Sequence, residues 1–301
     1  WVAVTVLDES AQGRVFLVDP AGEREPIYVT DLLDDLMSTP SLTDFDASLS
    51  PGAEHLAWVT DRWERGHEIA VAEVDDLATL APAGVDGGAL RGLDPALSGA
   101  ADVLVYSTVG PTRHVWATRR VGGMWQPPFP VTQDPPMGPS RTGFSQNVRP
   151  SLNAAGDRIV FACGDDEMTM NVCEMALDGT DLHIVAYADR APGATGDGLD
   201  HPRYSAVAAE GIVFRARWIG REHIYAVSSW PDGAPREAFR LRSGLEARYP
   251  CSLADGSLVS IVSDADIHYL GVAREGVLVG MLPLEPVIES GVPYTQGCGG
   301  R

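Results

Sequence analysis

The chain of 301 residues carries 42 acidic and 22 basic side chains, so its formal net charge at pH 7 is −20. An acidic surface repels phosphate backbones and anionic lipids, which excludes nucleic acids and membrane surfaces as partners. The hydrophobic share of 45% and the charged share of 21% are typical of a globular domain. No apolar run is long enough to span a bilayer.

Short strands separated by turns start at the amino-terminal end. Residues 2–7, 14–18 and 26–30 are rich in β-branched and apolar residues, which predicts three strands. Residues 31–37 form at most two helical turns in the connection that follows. Residues 149–186 then show a complete unit. It has a short extended segment around Pro150, strands at 158–163 and 171–177, and a last strand at 182–186 after the turn Asp178-Gly179.

A repeat organises the rest of the chain around copies of this unit. The short extended segment recurs at positions 47, 95, 150, 202 and 250, with intervals of 48, 55, 52 and 48 residues. Second strands follow at residues 56–60, 103–107, 159–163, 212–216 and 258–262, and third strands at 68–72, 114–118, 171–175, 223–227 and 267–271. A period of this length is typical of propellers and other repeat architectures.

The two ends of the chain each hold an incomplete copy. The first three strands lack the short segment, and the tail supplies one, with Pro293 aligned to Pro150. We therefore predict an all-β fold, a six-bladed β-propeller of four-stranded antiparallel blades, with the ring closed by the C-terminal strand pairing with the N-terminal three strands. The single domain 1–301 divides into blades at about residues 1–37 with 291–301, 38–85, 86–133, 134–187, 188–241 and 242–290.

The repeat resembles that of the TolB-like β-propeller family, whose unit has a Ser-Pro-Asp-Gly turn before its second strand. Ser50, Pro51 and Gly52, followed by residues 56–58, are the nearest copy of this part, and residues 224–227 copy the family's third strand. The Ser-Pro-Asp-Gly turn is intact in no copy. The resemblance implies a mostly non-catalytic, exported or lipid-anchored propeller that binds proteins or small ligands.

The four cysteines give an indication of the compartment. Cys163 and Cys173 fall on adjacent strands joined by a short loop, which predicts a disulfide, whereas Cys251 and Cys298 are harder to pair. No cysteine or histidine spacing is typical of zinc. We expect an exported protein, periplasmic or associated with the cell envelope, with buried reduced thiols as the alternative. A signal or lipid anchor ahead of Trp1 is compatible with this sequence.

Catalytic motifs are sparse. Residues 138–143 do not have the Gly-x-Ser-x-Gly spacing of a hydrolase. The acidic run 165–167 and the pair Asp264 and Asp266 are interpreted as solvated loops, with Ca²⁺ binding as the alternative; no other cofactor is expected. Histidines recur near the start of four third strands and are expected to stay apart: His67, His114, His223 and His268.

The residue before each aligned proline differs from copy to copy. These positions are predicted to ring one mouth of the channel, with two arginines close by: Asp46, Asp94, Arg149, His201 and Tyr249, with Arg203 and Arg248. Mixed charges on a rigid ring would bind a small polar ligand or a peptide. The alternative is that these charges pair across blades and close the mouth.

A long connection, residues 127–146, is the second candidate surface. It is rich in proline and apolar residues, and Trp125, Phe129 and Met137 are its predicted docking residues. Packing over the blade beneath is the alternative. The sequence thus favours a non-catalytic scaffold that binds a protein, a peptide or a small ligand. The alternative function is a carbohydrate-active or metal-dependent lyase-like enzyme that uses the acidic loops or His201.

Overall fold

A computed structural model describes residues 1–7, 12–37, 43–63, 66–85, 88–135, 138–166, 169–188, 198–205, 211–218, 221–227, 235–238, 241, 244–265, 267–284 and 292–298. Within these ranges the strands form six antiparallel sheets. The innermost strands of neighbouring sheets contact one another around a closed ring. The predicted six-bladed β-propeller is therefore confirmed.

The blades follow one another along the chain, apart from the strand that closes the ring. Blade one consists of β1 (Val2–Leu7), β2 (Gly13–Val18), β3 (Ile27–Tyr28) and β25 (Val292–Cys298). Blade two consists of β4 (Asp44–Leu49), β5 (His55–Thr60), β6 (Glu68–Glu73) and β7 (Asp76–Pro82). Blade three consists of β8 (Leu93–Leu97), β9 (Val103–Ser107), β10 (Val115–Val121), β11 (Met124–Trp125) and β12 (Phe129–Pro130).

The second half of the ring has the same plan. Blade four consists of β13 (Gln146–Leu152), β14 (Arg158–Gly164), β15 (Asn171–Ala176) and β16 (His183–Ala186). Blade five consists of β17 (Asp200–Tyr204), β18 (Ile212–Trp218), β19 (Arg221–Val227) and β20 (Arg236–Glu237). Blade six consists of β21 (Glu246–Ser252), β22 (Leu258–Asp264), β23 (Ile267–Arg274) and β24 (Val277–Pro283).

Ring closure follows the prediction in topology but not in register. β25 pairs with β1, and a register shift places residues 295 and 296 in a bulge. The corresponding bulge of blade four holds Arg149 and Pro150. The equivalent of Pro150 is therefore Gln296, so the alignment on Pro293 was wrong by three residues. Proline was an insufficient marker because the pairing of the strands, and not the residue type, sets the bulge.

The end of blade one also differs from the prediction. Residues 26–30 were predicted as one strand, but β3 ends at Tyr28 and the helix α1 (Val29–Met37) starts directly after it. Thr30 shows the reason, because its Oγ1 accepts the N–H of Val15 at 2.9 Å and so takes the place of a strand carbonyl. Val29 and Leu33 are fully buried beside blade two. No helix in the described ranges is long and apolar enough to cross a membrane.

The hydrophobic core lies between the blades. Six main clusters of buried side chains each join two neighbouring blades, and among the described residues they run around the whole ring. Trp58, Phe161 and Phe214, from the second strands of blades two, four and five, are the largest fully buried side chains. Because every blade packs on two others, the ring holds the innermost strands rigidly around the channel.

Candidate functional site

Each innermost strand bends at a β-bulge. A register shift interrupts its pairing with the second strand in all six blades. In blades two to six the first bulge residue has a left-handed backbone, with φ between 49 and 56°; we call these residues the bulge ring: Asp46, Asp94, Arg149, His201 and Tyr249. They are the residues that the sequence placed at a channel mouth, but they lie midway along the innermost strands.

The second bulge residue explains the recurring proline. A bulge leaves one N–H outside the ladder, and proline has none to leave unpaired. Proline fills this position in blades three to six, but blade two has Ala47. The N–H of Ala47 donates to Thr5 Oγ1 of blade one at 3.3 Å.

Hydrogen bonds link the bulge ring from blade to blade. Asp46 Oδ2 accepts the N–H of Asp94 at 3.1 Å, and Asp94 Oδ2 accepts the N–H of Arg149 at 3.3 Å. Arg149 Nη1 then donates to Asp200 Oδ1 of blade five at 2.7 Å. Pairing across blades, which was one of the two interpretations, is therefore present in this half of the ring. Ligand binding by the same residues stays a prediction.

Asp200 is the centre of a buried charge cluster. Besides Arg149, it contacts Arg215 Nη2 at 2.8 Å and His201 Nδ1 at 3.0 Å. Burial raises the pKa of Asp200, but the nearby His201, Arg149 and Arg215 outweigh that effect and hold the pKa well below its usual value. Burial lowers the pKa of His201 to about 4, despite the adjacent carboxylate. At neutral pH the imidazole is therefore neutral and Asp200 is ionised.

The other two predicted channel arginines have different surroundings. Arg248 forms ion pairs with Glu222 and with Glu246, the latter at 3.0 Å. The ring of Tyr249 stands edge-on to that of His201, with centroids 4.6 Å apart. Arg203 is 6% exposed, and its Nη1 donates to the carbonyl oxygen of Pro202 at 3.0 Å.

An open pocket lies beside the start of β13, between blades three and four. We call it the N-side pocket, because it is on the face of the propeller where the innermost strands begin. Its volume is about 730 Å³, and Val109, Trp116 and Phe144 form its apolar wall. Thr108, Ser140, Ser145 and Asp165 add polar groups around the rim.

The described residues of the connection between β12 and β13 build one wall of this pocket and hydrogen-bond to one another. Gln133 Nε2 donates to the carbonyl oxygen of Gly138 at 3.0 Å, and Arg141 Nε donates to Asp134 Oδ1 at 3.0 Å. Thr142 Oγ1 donates to Asn147 Oδ1 at 2.7 Å, which fastens the connection to the start of β13.

Comparison with known proteins gives structural likeness without close sequence relatives. No protein-family model matches the chain, and no curated protein matches it. TolB from Acinetobacter baumannii superposes with a TM-score of 0.67 and 13% identity, over 99% of this chain and 66% of that one. A putative TolB from Agrobacterium tumefaciens gives 0.57 and 13%, over 94% and 87%. The fold is that of a TolB-like six-bladed propeller.

An enzyme also has a similar fold. Hydrazine synthase from Kuenenia stuttgartiensis matches with a TM-score of 0.65 and 13% identity, over 93% of this chain and 44% of that one. The chain thus spans about two-thirds of the first TolB and less than half of the synthase. Because a propeller hosts many functions, the TolB-like fold by itself does not assign one.

The predicted docking residues are only partly at the surface of this TolB-like propeller. Trp125 is buried against the core of blades two and three, so for this residue packing over the blade, the alternative interpretation, is correct. Phe129 is half-buried in β12, which pairs with β10 where a loop was expected. Met137 lies outside the described residues. The connection proper starts after Pro130.

The four recurring histidines stay apart, as expected. His223 Nδ1 contacts Glu237 at 3.1 Å and His268 Nδ1 contacts Ser263 Oγ at 3.0 Å, in blades five and six. His67 packs edge-on to Phe45 in blade two, with ring centroids 5.6 Å apart. His114 lines the N-side pocket. Among the described residues, no group of three or more His, Cys, Asp or Glu side chains could hold a metal ion. Asp266 and Glu167 lie outside those residues.

Sequence reasoning missed Asp200, Arg215 and Trp116. A signal existed for Arg215, because it is a charge within an otherwise apolar second strand, and such a charge has to find a partner. Asp200 precedes a bulge residue and was passed over because only the residue before the proline was compared. Trp116 lies at the start of a third strand, where a partly buried aromatic side chain is ordinary and signals no pocket.

Both disulfide expectations can be compared with the structure. Cys163 and Cys173 are disulfide-bonded across β14 and β15, with Cα atoms 6.0 Å apart. Cys251 was expected to be hard to pair, which was wrong, because it is disulfide-bonded as well. Its place in the core between blades six and one was not visible in the sequence.

Proposed function

We propose that this TolB-like propeller is a non-catalytic scaffold that binds an extended segment of a partner protein in the N-side pocket. The observation that carries this proposal is the pocket itself, a concave surface of about 730 Å³. Preformed concave surfaces that combine aromatic side chains with a few polar groups are typical binding sites. Most of its lining residues are on loops held by a rigid ring.

The chemistry of the pocket favours a peptide segment. His114 is 8% exposed, and burial lowers the pKa of its imidazole, so the ring is neutral. Among the described residues, neither His114 Nδ1 nor Trp116 Nε1 has a hydrogen-bond partner. Both atoms are enclosed by protein, so the polar groups open to the backbone amides of a bound segment are those of Thr108, Ser140 and Ser145, while Trp116 and Phe144 would pack on its side chains.

We further propose that the protein acts outside the cytoplasm, in the periplasm or at the cell envelope. The disulfide between Cys163 and Cys173 and the disulfide bonding of Cys251 support this, because such bonds persist in oxidising compartments. A lipid anchor ahead of Trp1 is part of the same proposal. The presence of Ca²⁺ is a separate proposal that elemental analysis of the purified protein would test.

The enzymatic alternative has weaker support. His201 is 5% exposed and held between Asp200 and Tyr249, so a substrate would not reach its ring. Ser263 and His268 are close, but they are directly opposite residues of one strand pair, as in an ordinary cross-strand contact. Turnover of an acidic or neutral glycan by the purified protein, or a stoichiometric transition metal, would overturn the non-catalytic proposal.

Site-specific photo-crosslinking in cells of the source organism tests the binding surface. A photo-reactive residue at Val109, which is 51% exposed in the pocket wall, is compared with one at Val121, which is 61% exposed at the far end of β10. We expect a discrete protein adduct at position 109 only, weakened by Phe144→Ala. Equal adducts at both positions, or none at position 109, would contradict the proposal.

A further inference from the structure

A second cavity lies at the other end of the channel, where the innermost strands end. We call it the C-side cavity; its volume is about 190 Å³. Five of the six innermost strands line it, which places it on the channel axis. Its size suits one small polar group, in contrast to the open N-side pocket.

The repeat shows what is unusual about this end of the channel. The first paired residue after each bulge is structurally equivalent in all blades. In five blades this residue is small: Ser48, Ala96, Ser151, Cys251 and Gly297. Only blade five carries a long, charged side chain there, Arg203. The cavity exists because one arginine is surrounded by small residues.

The guanidinium of Arg203 is buried yet only partly used. Its Nη1 donates to the carbonyl oxygens of Pro202, Arg149 and Pro150 at 3.0, 3.4 and 3.5 Å. Its Nε and Nη2 make no hydrogen bond to a described residue and are not enclosed by protein, so they face the cavity that the side chain lines. Burial lowers the pKa of Arg203 to about 10, which leaves it protonated at neutral pH.

The carboxylates nearest to Arg203 are engaged elsewhere. Asp46 accepts the N–H of Asp94, and Asp94 in turn accepts the N–H of Arg149 and the hydroxyl of Ser107. Asp200 contacts two other arginines and His201. In the described part of the chain, none of these groups forms an ion pair with Arg203. A buried cation without a contacting anion is unfavourable unless a further group completes its hydrogen bonds.

We propose that Arg203 binds a carboxylate group in the C-side cavity. The Nε and Nη2 edge of a guanidinium presents two parallel N–H bonds, which match the two oxygens of a carboxylate. Ser48 and Ser151, whose hydroxyls have no hydrogen-bond partner among the described residues, supply further donors at the wall. The source is either a peptide C-terminus or a small organic acid. This site is independent of the N-side pocket and of the function proposed for it.

Ligand-observed NMR on the full chain tests the proposal with matched acids and amides. The probes are N-acetylglycine, an acetylated tetrapeptide acid, the amide of each, and inorganic phosphate. Measurements at about 0.15 M salt limit the long-range repulsion by the acidic surface, because the screening length is then about 8 Å. We expect both acids to bind and both amides to fail. The tighter of the two acids identifies the source.

Three variants place the binding at Arg203. Arg203→Gln removes the charge, and Ser151→Ile fills the cavity while keeping Arg203 and its carbonyl contacts. Arg119→Gln removes an exposed arginine of blade three and is the control. We expect the first two to weaken N-acetylglycine binding by about 10- to 100-fold, as for the loss of a charged hydrogen-bonded pair, and the control to leave it unchanged.

Other results would overturn the proposal. Equal binding of acid and amide, or phosphate binding more tightly than either acid, would exclude a carboxylate site. If wild-type protein binds neither acid and Arg203→Gln unfolds more easily, the role of Arg203 is structural, as a donor to the carbonyl oxygens that it contacts. If Arg203→Gln fails to fold, Ser151→Ile decides, because unchanged binding in that variant places the acid elsewhere.

Discussion

His201 should make the stability of the protein depend on pH between about 6.5 and 4. Burial lowers the pKa of its imidazole from the ordinary 6.5 to about 4, in a setting formed by Asp200, Arg149, Arg215 and Tyr249. As the pH falls through 6.5, the unfolded chain takes up a proton that the folded protein does not. The unfolded state then binds more protons, so the free energy of unfolding falls with the pH.

The size of this effect follows from the two pKa values. At about 1.4 kcal/mol for each pH unit between them, stability drops by about 2–3 kcal/mol from pH 7.5 to pH 4.5. Asp200 also makes stability fall as the pH falls, but at lower pH, because its pKa is held well below 3.8 in the folded protein. Its contribution is lost only below pH 3.8. His114 also contributes below pH 6.5, since burial lowers its pKa as well.

Urea unfolding of wild type and His201→Gln at pH 7.5 and 4.5 isolates the contribution of His201. The variant keeps an amide N–H for Asp200 but cannot titrate, and His114 is common to both proteins. We expect the loss of stability between the two pH values to be smaller in the variant by about 2–3 kcal/mol. If both proteins lose the same free energy over this range, the buried neutral imidazole is refuted.

Further predictions concern stability and are checked by denaturant unfolding. Asp44→Asn should destabilise by about 1.5–3 kcal/mol, because the buried Arg62 side chain contacts Asp44 at 2.6 Å and keeps only Asp34, at 2.8 Å, as an anionic partner in the variant. Asp31→Asn, in an exposed pair, should change little. Gly156→Ala should destabilise more than Gly122→Ala: both have positive φ, but only at Gly156 would a Cβ meet another side chain, at 2.9 Å. Replacing both Cys163 and Cys173 by Ala, which leaves the disulfide of Cys251 in place, should remove about 2–3 kcal/mol. An equal effect in either matched pair, or no effect of the double replacement, contradicts the corresponding prediction.

The repeat was readable from the sequence because its signals are local. Asp178-Gly179 marks a hairpin that the structure places between β15 and β16, and the apolar run at 158–163 becomes β14. The incomplete copies at the two ends were sufficient to predict that the tail closes blade one. The predicted register of this closing strand was wrong, because Pro293 resembles the other prolines while the bulge falls on residues 295 and 296.

The candidate sites were harder to predict from the sequence, since they depend on residues that are distant in sequence. The comparison of copies singled out Asp46, Asp94, Arg149, His201 and Tyr249, and all five proved to be structurally equivalent left-handed residues. Their hydrogen-bond partners could not be predicted from the sequence, because Arg149 and Asp200, for example, are 51 residues apart. The N-side pocket requires Trp116, Phe144 and Asp165, which three separate connections and strands bring together.

The sequence by itself determined the blades, their order and the closure of the ring, because strand alternation and turn residues act over a few neighbouring positions. Tertiary structure alone decided which charges are paired, which aromatic side chains are buried and where cavities remain. Arg203 illustrates the difference: in the sequence it is one arginine after a proline. Its burial, and the small residues around it, arise only when five blades converge on the channel axis. The same convergence leaves its Nε and Nη2 without a hydrogen bond to any described residue.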